Sequence, residues 1–255
     1  MKSADFLTIA TCLSLVHGAW SFTPNAPSFG GRRGAQQHSA AKLHHTASRG
    51  QQQILQAGSS STNWFTQFLK PGAQKKTNGN GAEAAKLKQR LLDTVRSTRR
   101  GISTSEEQRQ DIDELIAALE PLNPNAESVS SESLSALWIL EWTTEREILF
   151  LMDKGLLGLP SGPVQQAIDV DARTLSNTML FGPDSVFEVA SSIDPEDSGP
   201  RVNFEFEACK LKYRGFTVPL PPVGKGWFES VYLDEDFRVT RDVRGDVTVL
   251  VKGQS

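Results

Sequence analysis

Beyond residue 45 the chain has no histidine: the four in its 255 residues are His17, His38, His44 and His45. Whatever folds downstream therefore lacks the usual general base at neutral pH. A Ser-His-Asp or Cys-His nucleophile system cannot be assembled there. Cysteine is nearly as scarce, with Cys12 at the front and Cys209 far away. Cys12 falls in a leader segment, so Cys209 stands alone. That excludes a disulfide within the mature chain and leaves a zinc site without ligands. Long apolar runs are missing too. The stretch Phe6–Val16 spans 11 residues, against the ~20 needed to cross a bilayer, and no later segment comes close. No transmembrane segment and no cofactor are expected.

A further absence marks a boundary. From Phe22 to Asn80 there is no Asp or Glu in 59 residues, while Arg32, Arg33, Lys42, Arg49, Lys70, Lys75 and Lys76 stand among many Ser, Gln, Ala and Gly. This is the composition of an organelle transit peptide; the alternative is a basic tail for nucleic acid or acidic membrane. In front of it, Lys2, the apolar run and Ala19-Trp20-Ser21 read as a secretory-type signal with small residues at the cleavage site. We therefore expect a signal peptide over residues 1–21, a transit or disordered segment over 22–81, and a folded domain over 82–255. Signal followed by transit peptide resembles the bipartite presequence of algae whose plastid lies inside the secretory system, and implies a complex plastid. Residues 1–80 hold 8 basic and 1 acidic residue, which leaves 19 basic against 29 acidic in residues 81–255. An acidic domain has no electrostatic footprint for phosphate backbones, so nucleic acid is not an expected partner.

Ser59-Ser60-Ser61 and Asn78-Gly79-Asn80-Gly81 read as flexible punctuation. Between them Trp64, Phe65, Phe68 and Leu69 share a helical face, as part of the transit peptide or a retained anchor. Two helices are expected over 83–120. One carries Ala84, Leu87, Leu91 and Val95; the other carries Ile112, Leu115, Ile116 and Leu119 behind a Ser105–Gln108 capping box. Pro121 and Pro124 forbid continuation. From 134 to 252 the period is two. Val202, Phe204, Phe206 and Ala208 alternate with polar residues, and Val247, Val249 and Val251 alternate with Thr248, Leu250 and Lys252. At Cys209 the phase flips toward Leu211 and Tyr213, which predicts a bulge or sharp bend. Roughly eight strands, with hardly a helix signal between them, predict a mainly β fold: an antiparallel barrel or curled sheet preceded by two short helices. Barrels of that size either fill with side chains or hold one small ligand.

Trp138, Leu140 and Trp142 alternate with Leu137 and Ile139, so this strand is expected to be covered on both faces. The candidate ligand-binding residues are Trp138, Trp142, Phe204, Phe206, Trp227, Tyr232 and Arg241, with core packing the plain alternative for each aromatic. Arg241 falls in phase with Phe237, Val239 and Val243, so it would need an anionic partner such as Glu141 or the polar head of a ligand. The cluster Asp234-Glu235-Asp236 offers carboxylate chemistry or a Ca²⁺ site, against a plain hairpin turn. Pro219, Pro221 and Pro222 indicate an edge-like segment. Arg244-Gly245-Asp246 reads as the turn between two strands. Gly224-Lys225-Gly226 lacks the spacing of a nucleotide loop.

The stretch Gly226-Trp227-Phe228-Glu229-Ser230-Val231-Tyr232-Leu233-Asp234-Glu235-Asp236-Phe237-Arg238-Val239, followed by Gly245 and Val249-Leu250-Val251-Lys252, resembles the C-terminal signature of the plastid lipid-associated proteins, or plastid fibrillins. In the same order, Leu119–Pro124 resembles the family's entry loop, Leu137–Thr144 its first strand and Val164–Val170 a third landmark. Ala136 departs from the glycine common before the first-strand Trp. The resemblance implies a lipocalin-like barrel in a plastid, non-catalytic and peripheral to thylakoids or plastoglobules. It would bind or organise apolar lipids or isoprenoids such as carotenoids, quinones or fatty acids. The alternative role is a scaffold acting through its outer surface on lipid bodies or on a lipid-biosynthetic enzyme.

Overall fold

The computed structural model describes residues 79–253 except Ser128 and Ser130. The leader readings, including the Trp64–Leu69 face and Cys12, lie outside the described residues. Among the described residues nine strands form one sheet: β1 (Ala136–Thr143), β2 (Ser161–Asp169), β3 (Thr174–Phe181), β4 (Val186–Pro195), β5 (Arg201–Tyr213), β6 (Phe216–Leu220), β7 (Lys225–Leu233), β8 (Phe237–Asp242) and β9 (Val247–Lys252). Neighbours pair antiparallel through β1-β2-β3-β4-β5-β7-β8-β9, and β9 pairs with β1, so eight strands close into a barrel. The mainly β, antiparallel barrel expected from the period-two pattern is the fold observed.

β6 stands outside the ring as a hairpin partner of the second half of β5, whose first half pairs with β7. Pro219 lies in this edge strand, where its missing N–H disrupts no interior ladder. The bend expected near Cys209 is a bulge. Ala190 pairs with Ala208 and Ser191 with Phe206, which leaves Glu207 as the extra residue. One residue of slip lets Val202 and Phe206 before it and Cys209 and Leu211 after it be buried alike.

The two N-terminal helices lie on the outside of this barrel. α1 (Gly79–Arg96) begins inside the Asn78–Gly81 stretch read as punctuation. A first turn tolerates glycine, since its N–H groups have no intrahelical partners. α2 (Glu106–Leu119) starts with the expected capping box: Ser105 Oγ accepts from Gln108 N at 3.2 Å, and Gln108 Oε1 accepts from Ser105 N at 3.0 Å. Leu91 and Val95 of α1 and Ile112 and Leu119 of α2 are fully buried against Trp142, Phe237, Val239 and Val249. Each such side chain contributes roughly 1.5–3 kcal/mol by leaving water. β1, β7, β8 and β9 are thereby covered outside as well as inside.

Two helices were not foreseen. α3 (Ser131–Leu134) precedes β1, and α4 (Arg146–Lys154) follows it. In α4 the apolar residues Ile148 to Met152 are consecutive, and so short a run reads equally well as a buried strand. Its end is fixed by Gly155 at φ 69°, whose amide donates to Leu151 O at 2.9 Å. Inside the barrel, one apolar cluster joins Trp138, Leu134, Ile168, Val202 and Leu233 at the α3 end. A second joins Leu140, Met179 and Phe181 with Met152 and Leu151 at the α4 end.

Candidate functional site

Between these two clusters the barrel holds a partly open cavity of about 140 Å³. Its walls differ in chemistry. Val164, Leu175, Met179, Phe187, Val189 and Phe204, from the strands without a helical cover, make an apolar side. Arg238, Thr240, Asp242 and Thr248, from the covered strands β8 and β9, make a polar side, with Gln166 and Asn177 beside them. α4 contributes Glu147, Ile148 and Leu151 at one end, next to Glu145.

Among the described residues that line the cavity Arg238 is the one cation, and it is 1% exposed. Its guanidinium lies over two aromatic faces, 5.2 Å from the Trp138 ring centre and 5.3 Å from that of Phe228. Nη2 donates to Gln166 Oε1, and Gln166 Nε2 donates to Asn177 Oδ1 at 2.9 Å. Nε and Nη1 are buried with no hydrogen-bond partner. Burial pushes the guanidinium down to about 9, so it stays charged at neutral pH.

The opposite charge collects at the α4 end. Arg244, in the β8–β9 turn, lies 2.9 Å from Asp246, 3.3 Å from Glu147, 3.4 Å from Asp242 and 3.7 Å from Glu145. Arg244-Gly245-Asp246 is the expected turn, with Gly245 at φ 82°, and it also ties this turn to α4. Burial first, then the neighbouring Asp242, raises the Glu145 carboxyl to about 7, although Arg244 opposes the shift.

A family comparison decides what kind of barrel this is. The PAP_fibrillin family matches residues 85–251. The chain belongs to the plastid lipid-associated, or fibrillin, family. It is 43% identical over 170 residues to the probable plastid-lipid-associated protein 11, chloroplastic, of Arabidopsis thaliana, covering 66% of this chain and 79% of that protein. It is 27% identical over 234 residues to the chromoplast-specific carotenoid-associated protein C1 of an Oncidium hybrid cultivar, covering 71% and 73%. The light-induced chloroplastic protein of Solanum tuberosum is 27% identical over 222 residues, covering 67% and 68%. No solved structure matches.

Within this fibrillin barrel, Phe204 is the one residue of the seven candidates that lines the cavity. Trp138 and Phe206 are buried close by. Trp138 donates from Nε1 to Leu134 O at 2.9 Å, and Phe206 stacks on Phe204 at 5.5 Å. The other four belong to the outer face. Trp142 does not share a face with Trp138 and Leu140, because the β1–β9 register shifts between Leu140 and Trp142 and turns it toward α2. There its Nε1 donates to Thr104 Oγ1 at 3.0 Å. Tyr232 lies under the helices, and its hydroxyl donates to Asp234 Oδ2 at 2.9 Å. Trp227 carries Arg201 on its ring at 4.0 Å. Arg241 points outward beside Glu229 at 3.6 Å, while Glu141 is held by Arg96 at 3.0 Å.

The apolar phase of β8 faces the helices and not the interior. Arg238, in the other phase and part of the stretch that carries the family resemblance, is therefore the inward arginine in place of Arg241. The signal is present in Phe237-Arg238-Val239-Thr240-Arg241: two arginines stand in opposite phases of one strand, and only the cover decides which is inside. The acidic cluster is a turn. Asp234 Oδ1 accepts from Phe237 N at 3.0 Å, and Lys88 of α1 reaches Asp234 at 2.6 Å and Asp236 at 2.9 Å. Burial lowers the Lys88 pKa, but its bonds to the two carboxylates outweigh that and leave it raised. The Cys209 thiol is buried and pushed up to about 11, which makes it unreactive at neutral pH.

Proposed function

We propose that this protein is a non-catalytic lipid-associated protein of the plastid whose barrel takes one apolar chain or ring of a lipid. The observation that carries this reading is the barrel cavity with its apolar wall from Val164 to Phe204. At about 140 Å³ it is smaller than the ~300–1,000 Å³ of typical small-molecule pockets. It therefore holds part of a lipid, and the remainder passes out beside α4. Long carotenoids and quinones enter by one end. The plastid names of the relatives and the acid-free leader support the compartment, which the chain reaches through a bipartite signal plus transit sequence. A lone, unreactive Cys209, and carboxylates tied up in the Lys88 and Arg244 clusters, support a role without turnover.

A second reading rests on a different surface. Phe216 is 79% exposed, and Val218 and Val223 are 50% and 40% exposed, on and just after β6. Such a patch favours association with thylakoid or plastoglobule surfaces from outside. The two readings separate in one experiment. Purified protein is titrated with a fatty acid, a carotenoid and a quinone while tryptophan fluorescence is followed, using wild type, Val189→Phe to fill the cavity, and Phe216→Ser with Val218→Ser. Interior binding predicts that Val189→Phe loses the response and the β6 variant keeps it. The reverse pattern would shift the function to the surface.

A further inference from the structure

A cation kept in the interior without a counter-charge is costly even after its surroundings relax. Arg238 is in that position. Two aromatic faces and one amide oxygen are its partners, and Nε and Nη1 remain unpaired in a space large enough to admit another group. Buried polar groups of this kind are nearly always satisfied, so two orphaned donors on one guanidinium point to a missing acceptor.

We propose that Arg238 is the head-group site of the cavity, and that the ligand it is built for is a single-chain lipid ending in a carboxylate. This rests on the interior-binding reading above and adds to it the class of ligand. A carboxylate brings one negative charge to one positive charge and has two oxygens for the donors that Arg238 leaves open. A phosphate would bring nearly two charges to a site with one cation. The ends of the cavity set the orientation. Glu145, Glu147 and Asp242 make the α4 end acidic and repel an anionic head, while Arg238 attracts it. The head therefore lies against Arg238 and the Phe228 ring, and the chain runs past Met179 and Val189 toward Leu151 of α4. Thr240 and Thr248 flank the same polar wall.

The test compares lipids before it compares variants, since an Arg238 substitution could weaken the fold. Wild-type protein is titrated with dodecanoic acid, its methyl ester, dodecanol and dodecyl phosphate at pH 7.5. The acid should bind at least ~10-fold tighter than the ester and the alcohol, as expected for even one charge-assisted hydrogen bond. Arg238→Met, with far-UV circular dichroism as the check on folding, should bind acid and ester alike. Arg238→Lys should keep part of the preference. Equal binding of acid and ester by wild type would overturn the head-group assignment while leaving the apolar cavity intact. Tighter binding of the alkyl phosphate would overturn the carboxylate. No binding of any of the four would remove the interior-binding reading itself.

Discussion

On β8 and β9, under α1 and α2, the alternating apolar phase points away from the barrel, whereas on β2 to β5, which α1 and α2 leave uncovered, it points in. Phe237, Val239, Val247 and Val249 meet the helices, and the residues between them, Arg238, Thr240 and Thr248, face the cavity. On β5, Val202 and Phe206 are buried and Glu205 and Glu207 are exposed. One barrel thus obeys two opposite rules. A strand with water on one side must send its apolar residues inward. A strand roofed by helices is free to spend its polar phase on the interior. The cavity gains its polar wall from that freedom, so the helices shape the site without touching it.

The largest effect should come from breaking the roof. Ile112 is fully buried between α2 and the covered strands. Ile112→Asp leaves an unpaired charge there and should cost upward of ~4 kcal/mol in urea denaturation. Glu205→Ala, on the outward phase of β5, should stay within about 0.5 kcal/mol. Similar values for the two would mean that the helices are not part of the same cooperative unit as the barrel.

A middle-sized effect tests the rim where α4 meets the covered strands. Glu145, with its side chain 16% exposed, has its carboxyl raised to about 7 from an ordinary 4.5. A carboxyl raised by folding favours the native state in its protonated form. The penalty for ionising it is absent below pH 4.5, grows between 4.5 and 7, and is complete above. Glu145→Gln should therefore stabilise the protein by roughly 2–3 kcal/mol at pH 8 and change it little at pH 4. Arg244 retains Glu147, Asp242 and Asp246 in this variant. A gain at pH 4 that vanishes at pH 8 would reverse the sign and place the ionised form as the native one.

Most of the fold was legible. Alternation in Val202–Ala208 and Val247–Val251, the flip at Cys209, the prolines in and just after β6 and the capping box of α2 are local signals, and local signals survive in a single sequence. The inward or outward sense of an apolar phase is not local. It depends on whether a helix distant in sequence lies over the strand, and for β8 that choice exchanged Arg241 for Arg238. Trp142 was misplaced for a related reason: one bulge residue in β1 reverses the face of everything beyond it, and nothing in Leu140-Glu141-Trp142 announces it. Leu250 shows the same ambiguity from the other side. It shares the phase of Thr248 and Lys252, the polar positions of β9 by alternation, yet it is buried in the barrel interior.

The smallest expected difference concerns charge pairs in the two regions. Lys88 clamps the β7–β8 turn to α1, and it and Asp234 are 20% and 19% exposed. Lys210 and Glu188 pair across the bare strands β4 and β5 at 2.9 Å, with side chains 49% and 27% exposed. The geometries are alike; the difference is how much water reaches them and how much else the pair holds. Tyr232 and the turn amides also depend on Asp234. Double-mutant cycles with Lys88→Met and Asp234→Asn, and with Lys210→Met and Glu188→Gln, should give a coupling of about 1 kcal/mol for the first pair and under ~0.5 kcal/mol for the second. Raising the salt to 1 M should erase the second and leave much of the first. Equal couplings, or equal sensitivity to salt, would mean that the roof of helices shields the strands beneath it no better than water covers the others.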